Sequence, residues 1–259
     1  MFGIPTKSRD FPPWHRFDHA FFLVMVVLVW AAILSGFLYK NVNKYLDGTL
    51  SYPWVVHAHG VAFFLWLIFF TTQVLLIGRG SVSWHRRLGP FGAVLAAIMV
   101  VSGVHTGIVT QRPIYAQFGA TILSGIFADM ICFGSLVMAG ILLRGSPAAH
   151  KRLMLVATLG LTVAGFGRWL SPAIDRWLGV PTYWFFPTFS EGAWPFIRFQ
   201  VLPAYTLIAA IGVYDLLTRR RLHPAYVAAV AWCLPIQVLS GWLYYQPFWK
   251  QVAGRILGH

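Results

Sequence analysis

Continuous apolar runs of about 20 residues, separated by short polar gaps, are the feature that most limits what this chain can fold into. A helix of about 20 residues covers the roughly 30 Å hydrocarbon layer of a bilayer, because each helical residue rises about 1.5 Å. A transmembrane β-strand would need only about 10 residues of alternating character. Hydropathy therefore predicts an all-α integral membrane protein with seven transmembrane helices, near residues 19–39, 55–78, 89–110, 118–143, 152–172, 199–218 and 225–246.

Composition and charge placement argue against a soluble nucleic-acid-binding protein. Hydrophobic residues make up 58% of the chain and charged residues only 10%, against roughly 25% charged residues in soluble domains. The formal net charge is +13, and basic residues are concentrated in three short loops: Arg79, Arg86 and Arg87; Arg144, Lys151 and Arg152; Arg219, Arg220 and Arg221. The positive-inside rule places these loops and the N-terminus in the cytoplasm, and the C-terminus outside. We therefore expect the lipid bilayer as a partner and no nucleic acid.

Three similar motifs lie in or beside these basic loops. They are WHRRLG at 84–89, AHKRLM at 149–154 and RLHPAY at 221–226, and each follows an inward span and precedes an outward one. The motifs predict one leading helix followed by three like-oriented helical hairpins. Such repeats occur in transporters, and pairs of hairpins also form four-helix redox cores.

The sequence predicts a single polytopic membrane domain over residues 1–259, because no linker is long enough to separate modules. Residues 1–18 are predicted to form a cytoplasmic basic N-terminal segment. Residues 172–198 are predicted to form an outer loop with four prolines and many aromatic residues. This loop is interpreted either as an aromatic cap at the membrane interface or as a lid over an outward-facing site.

Ionisable residues within the spans are candidate site residues, because polar side chains are costly in a bilayer. His59 and His105 lie about one turn from the outer ends of the second and third spans. Arg168 has a similar depth in the fifth span, and Asp129 is nearer the midplane of the fourth. Because alternate spans run in opposite directions, these four side chains can converge in the outer half of the membrane.

One face of the second span combines imidazole, aromatic and amide groups. His59, Trp66 and Gln73 recur every seven residues, with Phe63 and Phe70 beside them. This spacing places them along one stripe of a helix.

In the chemical interpretation, His59 and His105 ligate the iron of haem b or another transition metal through imidazole nitrogen. His57 joins them in a non-haem metal site, since His-x-His is a metal-binding pattern. Arg168 balances a haem propionate, and Trp66 flanks the macrocycle.

Gln73 and Asp129 are the candidate catalytic residues of this interpretation. Gln73 orients a ligand or quinone, and Asp129 moves a proton. In the alternative interpretation, the histidines form hydrogen bonds between helices, and Arg168 pairs with Asp129 or with a carbonyl.

His85, His150 and His223 are predicted to lie at the inner membrane interface, each beside a basic residue and each preceding a helix. They are interpreted as helix caps or headgroup contacts, or alternatively as ligands of a second haem on the cytoplasmic side. Cys132 and Cys233 both fall within predicted spans, where a small apolar packing role is expected.

These motifs resemble those of bacterial multi-pass membrane families of unknown function, especially domain-of-unknown-function 2306. The resemblance rests on HAHG at 57–60, Gln73, HRRLG at 85–89, HKRLM at 150–154 and Arg168. It implies a four-helix core with histidines and an arginine at fixed places, in the bacterial cytoplasmic (inner) membrane. The arrangement is also broadly similar to cytochrome b561-like cores, in which histidines on neighbouring helices hold haem.

The leading functional hypothesis is a membrane redox protein that holds a haem or metal in its outer half. It would pass electrons to or from a quinone or another small lipid-soluble or periplasmic partner. The alternative is a small-molecule transporter or membrane assembly factor with a polar cavity and no cofactor. A third hypothesis is a scaffold within a larger complex.

Overall fold

Every regular element in the part of the chain that the computed structural model describes is helical. The described residues are 11–48, 51–118, 122–168 and 202–259. Their helices are α1 (Asp18–Leu46), α2 (Trp54–Gly78), α3 (Val82–Phe118), α4 (Leu123–Leu142), α5 (Pro147–Gly160), α6 (Leu202–Arg219), α7 (Pro224–Tyr245) and α8 (Pro247–Leu257). Residues 161–162 form a turn after α5, and helix resumes over 163–168.

Five of the described helices are long and apolar enough to cross a membrane. They are α1 over Asp18–Leu38, and α2, α3, α4 and α7. Many of their large apolar side chains face outward, as they do in a bilayer, where lipid replaces water. The described helices therefore have the composition of a multi-pass membrane protein, as predicted.

The predicted boundaries hold for two spans and shift for others. Helices α2 and α7 begin and end within one residue of the predictions. Helix α3 is far longer than the predicted 89–110, because it continues through Pro90 and Pro113 to Phe118. Each proline removes one backbone hydrogen bond, and hydropathy cannot show that a helix tolerates that loss. The predicted start of the fourth span at 118 was wrong, since α4 begins at Leu123.

Helices α5 and α6 do not meet the length and hydropathy of a membrane span. Helix α5 has only 14 residues, and α6 carries Asp215 and Arg219 near its end. The predicted outer loop at 172–198 and the later part of the predicted fifth span lie outside the described residues.

The core lies between α2, α3, α4 and α5, with α1, α6 and α7 packed around it. Its largest side chains with almost no exposed surface include Trp66, Leu67, Met99 and Phe133. Helix α1 lies so close to the 163–168 segment that their backbones are in contact at Gly36 and Gly165. A Cβ added at Gly36 would lie 2.9 Å from the Cα of Gly165.

The chain ends in α8, an element for which the sequence analysis predicted nothing. Ala253 and Leu257 on one face pack against Leu123 at the start of α4. The hydroxyl of Tyr115 in α3 donates to the carbonyl of Lys250 at 2.9 Å. These contacts hold α8 against the bundle end opposite the basic loops.

Candidate functional site

Two histidines and a glutamine from three helices meet near the end of the bundle that carries the basic loops, which we call the basic end. Gln73 lies in the last turns of α2, His85 in the first turn of α3 and His150 in the first turn of α5. The expectation that His85 and His150 precede their helices was wrong, because both helices begin three residues earlier. We call these three residues the inner polar cluster.

The two imidazoles of the inner polar cluster pack edge to face. The ring centroids of His85 and His150 are 6.0 Å apart, with an interplanar angle of 86°. His150 Nδ1 lies 2.8 Å from the carbonyl oxygen of Gly140. Since a carbonyl only accepts, Nδ1 carries the proton, and a neutral ring then presents Nε2 as a free electron pair. A metal-binding histidine is oriented by a hydrogen bond of this kind.

Three polar atoms of the cluster, two on Gln73 and one on His85, are buried without hydrogen-bond partners. Gln73 is 8% exposed, and neither its Oε1 nor its Nε2 has a hydrogen-bond partner. His85 Nδ1 is likewise buried without a partner, while the His85 ring forms a hydrogen bond with the Gln73 backbone. Each such group costs about 1–3 kcal/mol when no partner is supplied, so a bound water or a ligand that bonds to these atoms would stabilise the protein.

The two imidazoles of the cluster are nitrogen donors of the kind that transition metals accept, and their ring centroids lie 6.0 Å apart. Within the described residues, no group of three or more His, Cys, Asp or Glu could hold a metal ion. Any centre here would therefore take its remaining ligands from a macrocycle or from small molecules.

The outer residues predicted as metal ligands are not brought together. His59 Nδ1 lies 2.9 Å from the Ser102 hydroxyl on α3. The exposed ring of His105 packs edge-on to Trp54, 6.4 Å between centroids. No hydrogen bond or ring contact of the described chain joins His59 to His105. Of the two sequence interpretations, these contacts match the one in which the histidines bond between helices.

Arg168 and His57 also have partners of their own. Arg168 Nη1 donates to the carbonyl of Ala164, and its guanidinium stacks 4.1 Å from the centre of the Phe37 ring. A carbonyl partner for this arginine is what the alternative interpretation predicts. His57 is exposed beside Tyr52 and lines an open groove of about 540 Å³ between α1 and α2.

The predicted stripe on α2 does face the interior. Trp66 is 0% exposed, lies edge-on to Phe133 and places its Nε1 3.4 Å from Thr158 Oγ1. Gln73 lies about two helical turns beyond Trp66 on α2. It belongs to the inner polar cluster and not to the group of outer histidines. Its role as the group that orients a ligand stays a prediction, now at the basic end.

Within the described residues, the hydrogen-bond partner of Asp129 is a glutamine on α7 and not a histidine. Its Oδ1 accepts a hydrogen bond from Gln237 Nε2 at 2.7 Å, across the α4–α7 contact. The carboxamide of Gln237 and the carboxyl group of Asp129 line a small cavity together with Cys132, Cys233 and Tyr205. The two cysteines are free and buried.

An ionic network at the basic end was missed by the sequence analysis. Asp215 is 0% exposed and forms a two-bond ion pair with Arg152, with Arg152 Nε 2.7 Å from Oδ2. Asp18 accepts from Arg219 at 2.8 and 2.9 Å and from Lys151 at 2.6 Å. This network joins α1, α5 and α6 through charges that the sequence analysis assigned only to topology.

Two signals could have revealed this network. Asp215 and Arg219 are four residues apart, so they share a helix face, and the chain has only seven acidic residues to balance 20 basic ones. Burial lowers the pKa of Lys151, and the Asp18 carboxylate opposes that shift. The network thus compensates charges that would otherwise be costly to bury.

No protein-family model, curated protein or solved structure matches this chain. The resemblance to the family of unknown function and to b561-like cores therefore stays a prediction, and the site carries the functional argument.

Proposed function

We propose that this chain is a multi-pass membrane redox protein whose cofactor is held at the basic end by His85 and His150. The observation that carries the proposal is the edge-to-face pair of imidazoles, together with the buried and unpartnered Nδ1 of His85 and the buried and unpartnered amide of Gln73. The hypothesis thus keeps the haem b or transition-metal centre of the sequence analysis. It moves that centre from the outer half to the basic end.

His85 and His150 would supply imidazole nitrogen ligands, and the Gly140 carbonyl would fix the His150 ring. The bound metal or haem iron would supply one-electron chemistry. The chain's own contribution is to orient the imidazoles and to exclude water from them. Gln73 would place its amide against the cofactor or against a bound quinone, since both of its polar atoms are available.

The proposed setting is the bacterial cytoplasmic (inner) membrane, with the basic end inside, as the loop charges indicate. In this topology the chain crosses the membrane seven times. The partner would be a small lipid-soluble carrier or a redox protein.

The test is cofactor content in protein purified in detergent. Wild-type protein should contain haem or one transition metal per chain, measured by absorption and by elemental analysis. His150→Ala should lose it, since the variant removes the ligand whose Nδ1 is already fixed. Wild type with neither haem nor metal after expression with both supplied would refute the proposal.

A matched control distinguishes the two candidate centres. His105→Ala removes an exposed imidazole that contacts Trp54, so it should leave the content unchanged. Loss in His105→Ala with retention in His150→Ala would return the centre to the outer half.

A small-molecule transporter is the second candidate, because the buried carboxyl group of Asp129 lines a small cavity and, among the described residues, is paired with the Gln237 amide and with no basic side chain.

A further inference from the structure

The open groove between α1 and α2 changes from polar to apolar along its length. Its volume is about 540 Å³, which lies in the size range of ligand pockets. The polar lining residues are Asn41, Tyr52 and His57, and apolar residues continue the lining along α2 as far as Ile68. A ligand that matches this lining has a polar head and a hydrocarbon chain.

The groove is about as long as one leaflet of a bilayer is thick. His57 lies in the first turn of α2, and Ile68 follows eleven residues later. At about 1.5 Å per helical residue, the two positions are about 16 Å apart along the helix. Half of the roughly 30 Å hydrocarbon layer is about 15 Å. A chain that starts beside His57 and ends at Ile68 would therefore reach the middle of the membrane.

The polar end of the groove lies beyond the part of α1 that fills the membrane. Asp18–Leu38 has 21 residues, so at about 1.5 Å per residue it covers the roughly 30 Å hydrocarbon layer. Asn41 follows this segment on the same helix, and its Oδ1 accepts a hydrogen bond from the Tyr52 hydroxyl at 3.5 Å. Val61, in the apolar part of the lining, is 60% exposed, as is usual for a side chain that faces lipid. The groove therefore connects the headgroup layer with the acyl layer.

Two cations lie against aromatic rings of the groove. Lys44 Nζ is 4.8 Å from the centre of the Tyr52 ring, and the Arg168 guanidinium is 4.1 Å from the centre of the Phe37 ring. Both rings belong to the lining. The carboxylate nearest to Lys44 in the sequence is Asp47, at an exposed position after the end of α1. Two cations against one exposed carboxylate favour an anionic headgroup at this end.

Gly60 keeps the middle of the groove open. It is part of the lining, and a Cβ added at this position would meet no atom within 4 Å. A leucine at position 60 would therefore occupy space in the groove without displacing a neighbouring helix.

We propose that this groove binds one anionic phospholipid, with its phosphate at the polar end and one acyl chain along α2 as far as Ile68. The Asn41 amide and the His57 imidazole are hydrogen-bond donors for phosphate and ester oxygens, and Lys44 balances the phosphate charge. A neutral quinone would fit the same length but would gain nothing from the cations. The groove lies at the end of α2 opposite the inner polar cluster, so the inference goes beyond the redox proposal and does not depend on it.

The test is native mass spectrometry of detergent-purified full-length protein, titrated with phosphatidylglycerol and with phosphatidylcholine of the same acyl chains. Wild type should bind one phosphatidylglycerol per chain, and more tightly than phosphatidylcholine. Lys44→Gln should reduce this preference about fivefold, the change that corresponds to about 1 kcal/mol per basic residue near anionic headgroups. Lys250→Gln is the matched control, because Lys250 is an exposed lysine of α8, and it should keep the wild-type preference.

Filling the groove tests where the lipid lies. Gly60→Leu should lose the binding of phosphatidylglycerol, because the new side chain takes the place of the acyl chain. Gly89→Leu is the control, since a Cβ added at Gly89 on α3 also meets no atom within 4 Å, and it should bind lipid as wild type does. If Gly60→Leu does not fold, the preference of Lys44→Gln decides.

Three results would overturn the proposal. Equal affinity of wild type for the two lipids would show that the groove does not select an anionic headgroup. Undiminished phosphatidylglycerol binding in a folded Gly60→Leu, or an unchanged preference in Lys44→Gln, would place the lipid elsewhere. Displacement of phosphatidylglycerol by an equal concentration of decylubiquinone would assign the groove to a neutral quinone.

Discussion

Removing Arg152 should be among the most damaging single changes that the described part of this chain can suffer. Asp215 is 0% exposed, and two of its hydrogen bonds come from the Arg152 guanidinium. In Arg152→Met, the nearest cation left to Asp215 is Arg219, whose Nη1 lies 3.6 Å away. Leaving one member of a buried pair uncompensated costs about 3–5 kcal/mol, and because Arg219 still balances part of the Asp215 charge, we expect a loss near the lower end of that range.

The double variant Arg152→Met, Asp215→Leu tests whether the cost comes from the stranded charge. It removes both charges and fills the space with apolar groups, a replacement that is often neutral in buried sites. We therefore expect it to be more stable than Arg152→Met by about 2 kcal/mol or more. Its remaining loss reflects the Ala148 carbonyl and the Phe11 ring, which also contact Arg152.

The assay is reversible unfolding in mixed micelles of increasing SDS fraction, followed by circular dichroism. Arg144→Met is the control, because Arg144 is exposed and bonds only the nearby Ile141 carbonyl. It should change the free energy of unfolding by less than about 0.5 kcal/mol. A double variant no more stable than Arg152→Met would refute the charge argument and leave packing of the arginine stem as the cause.

Two other predictions concern packing and pH. Gly36→Ala should destabilise the protein by several kcal/mol, since the added Cβ would meet the Gly165 backbone. Gly60→Ala should not, because nothing lies within 4 Å of its added Cβ. SDS unfolding compares the two variants, and equal losses of stability would contradict the close approach of Gly36 to Gly165. Burial, followed by the Arg152 charge, lowers the pKa of His223 below its ordinary 6.5, and its Nδ1 caps α7 by accepting from the Ala225 amide at 3.0 Å. The cap contributes about 1 kcal/mol, which should be present above pH 6.5 and should be lost as the pH falls through the lowered pKa. In His223→Ala, the free energy of unfolding should depend less steeply on pH. An unchanged slope would show that His223 does not cause this pH dependence.

The sequence predicted the features that depend on apolar length and on helix periodicity. The bounds of α2 and α7 followed from continuous apolar runs with polar flanks. The seven-residue spacing of His59, Trp66 and Gln73 placed them on one interior face, as found. Both patterns are local, so each can be read without knowing which helices are neighbours.

The features that depend on neighbouring helices were not predicted. Hydropathy places His59 and His105 at the same depth in the membrane. Depth does not determine how each helix is rotated about its axis, and His105 faces outward beside Trp54. His85 and Gln73 belong to different helices. They lie close together only because α3 begins at Val82, eight residues before Pro90. Helix α3 is longer than its apolar run, and hydropathy therefore missed its first turns.

The ion pairs at the basic end show the same limit. Arg152 and Asp215 are separated by 63 residues, and a basic residue near a membrane interface is equally consistent with a lipid headgroup. Only the packing of α5 against α6 assigns the arginine to a carboxylate.

The most direct test of the redox proposal is the reduced-minus-oxidised absorption spectrum of purified protein. It compares the wild type with a double variant that carries both His85→Ala and His150→Ala. Wild type should show a reversible one-electron signal that the double variant lacks, while His57→Ala, which removes an exposed imidazole, should retain it in full. A wild-type protein without a reversible signal, or a double variant that keeps it, would contradict the assignment of the centre to the basic end.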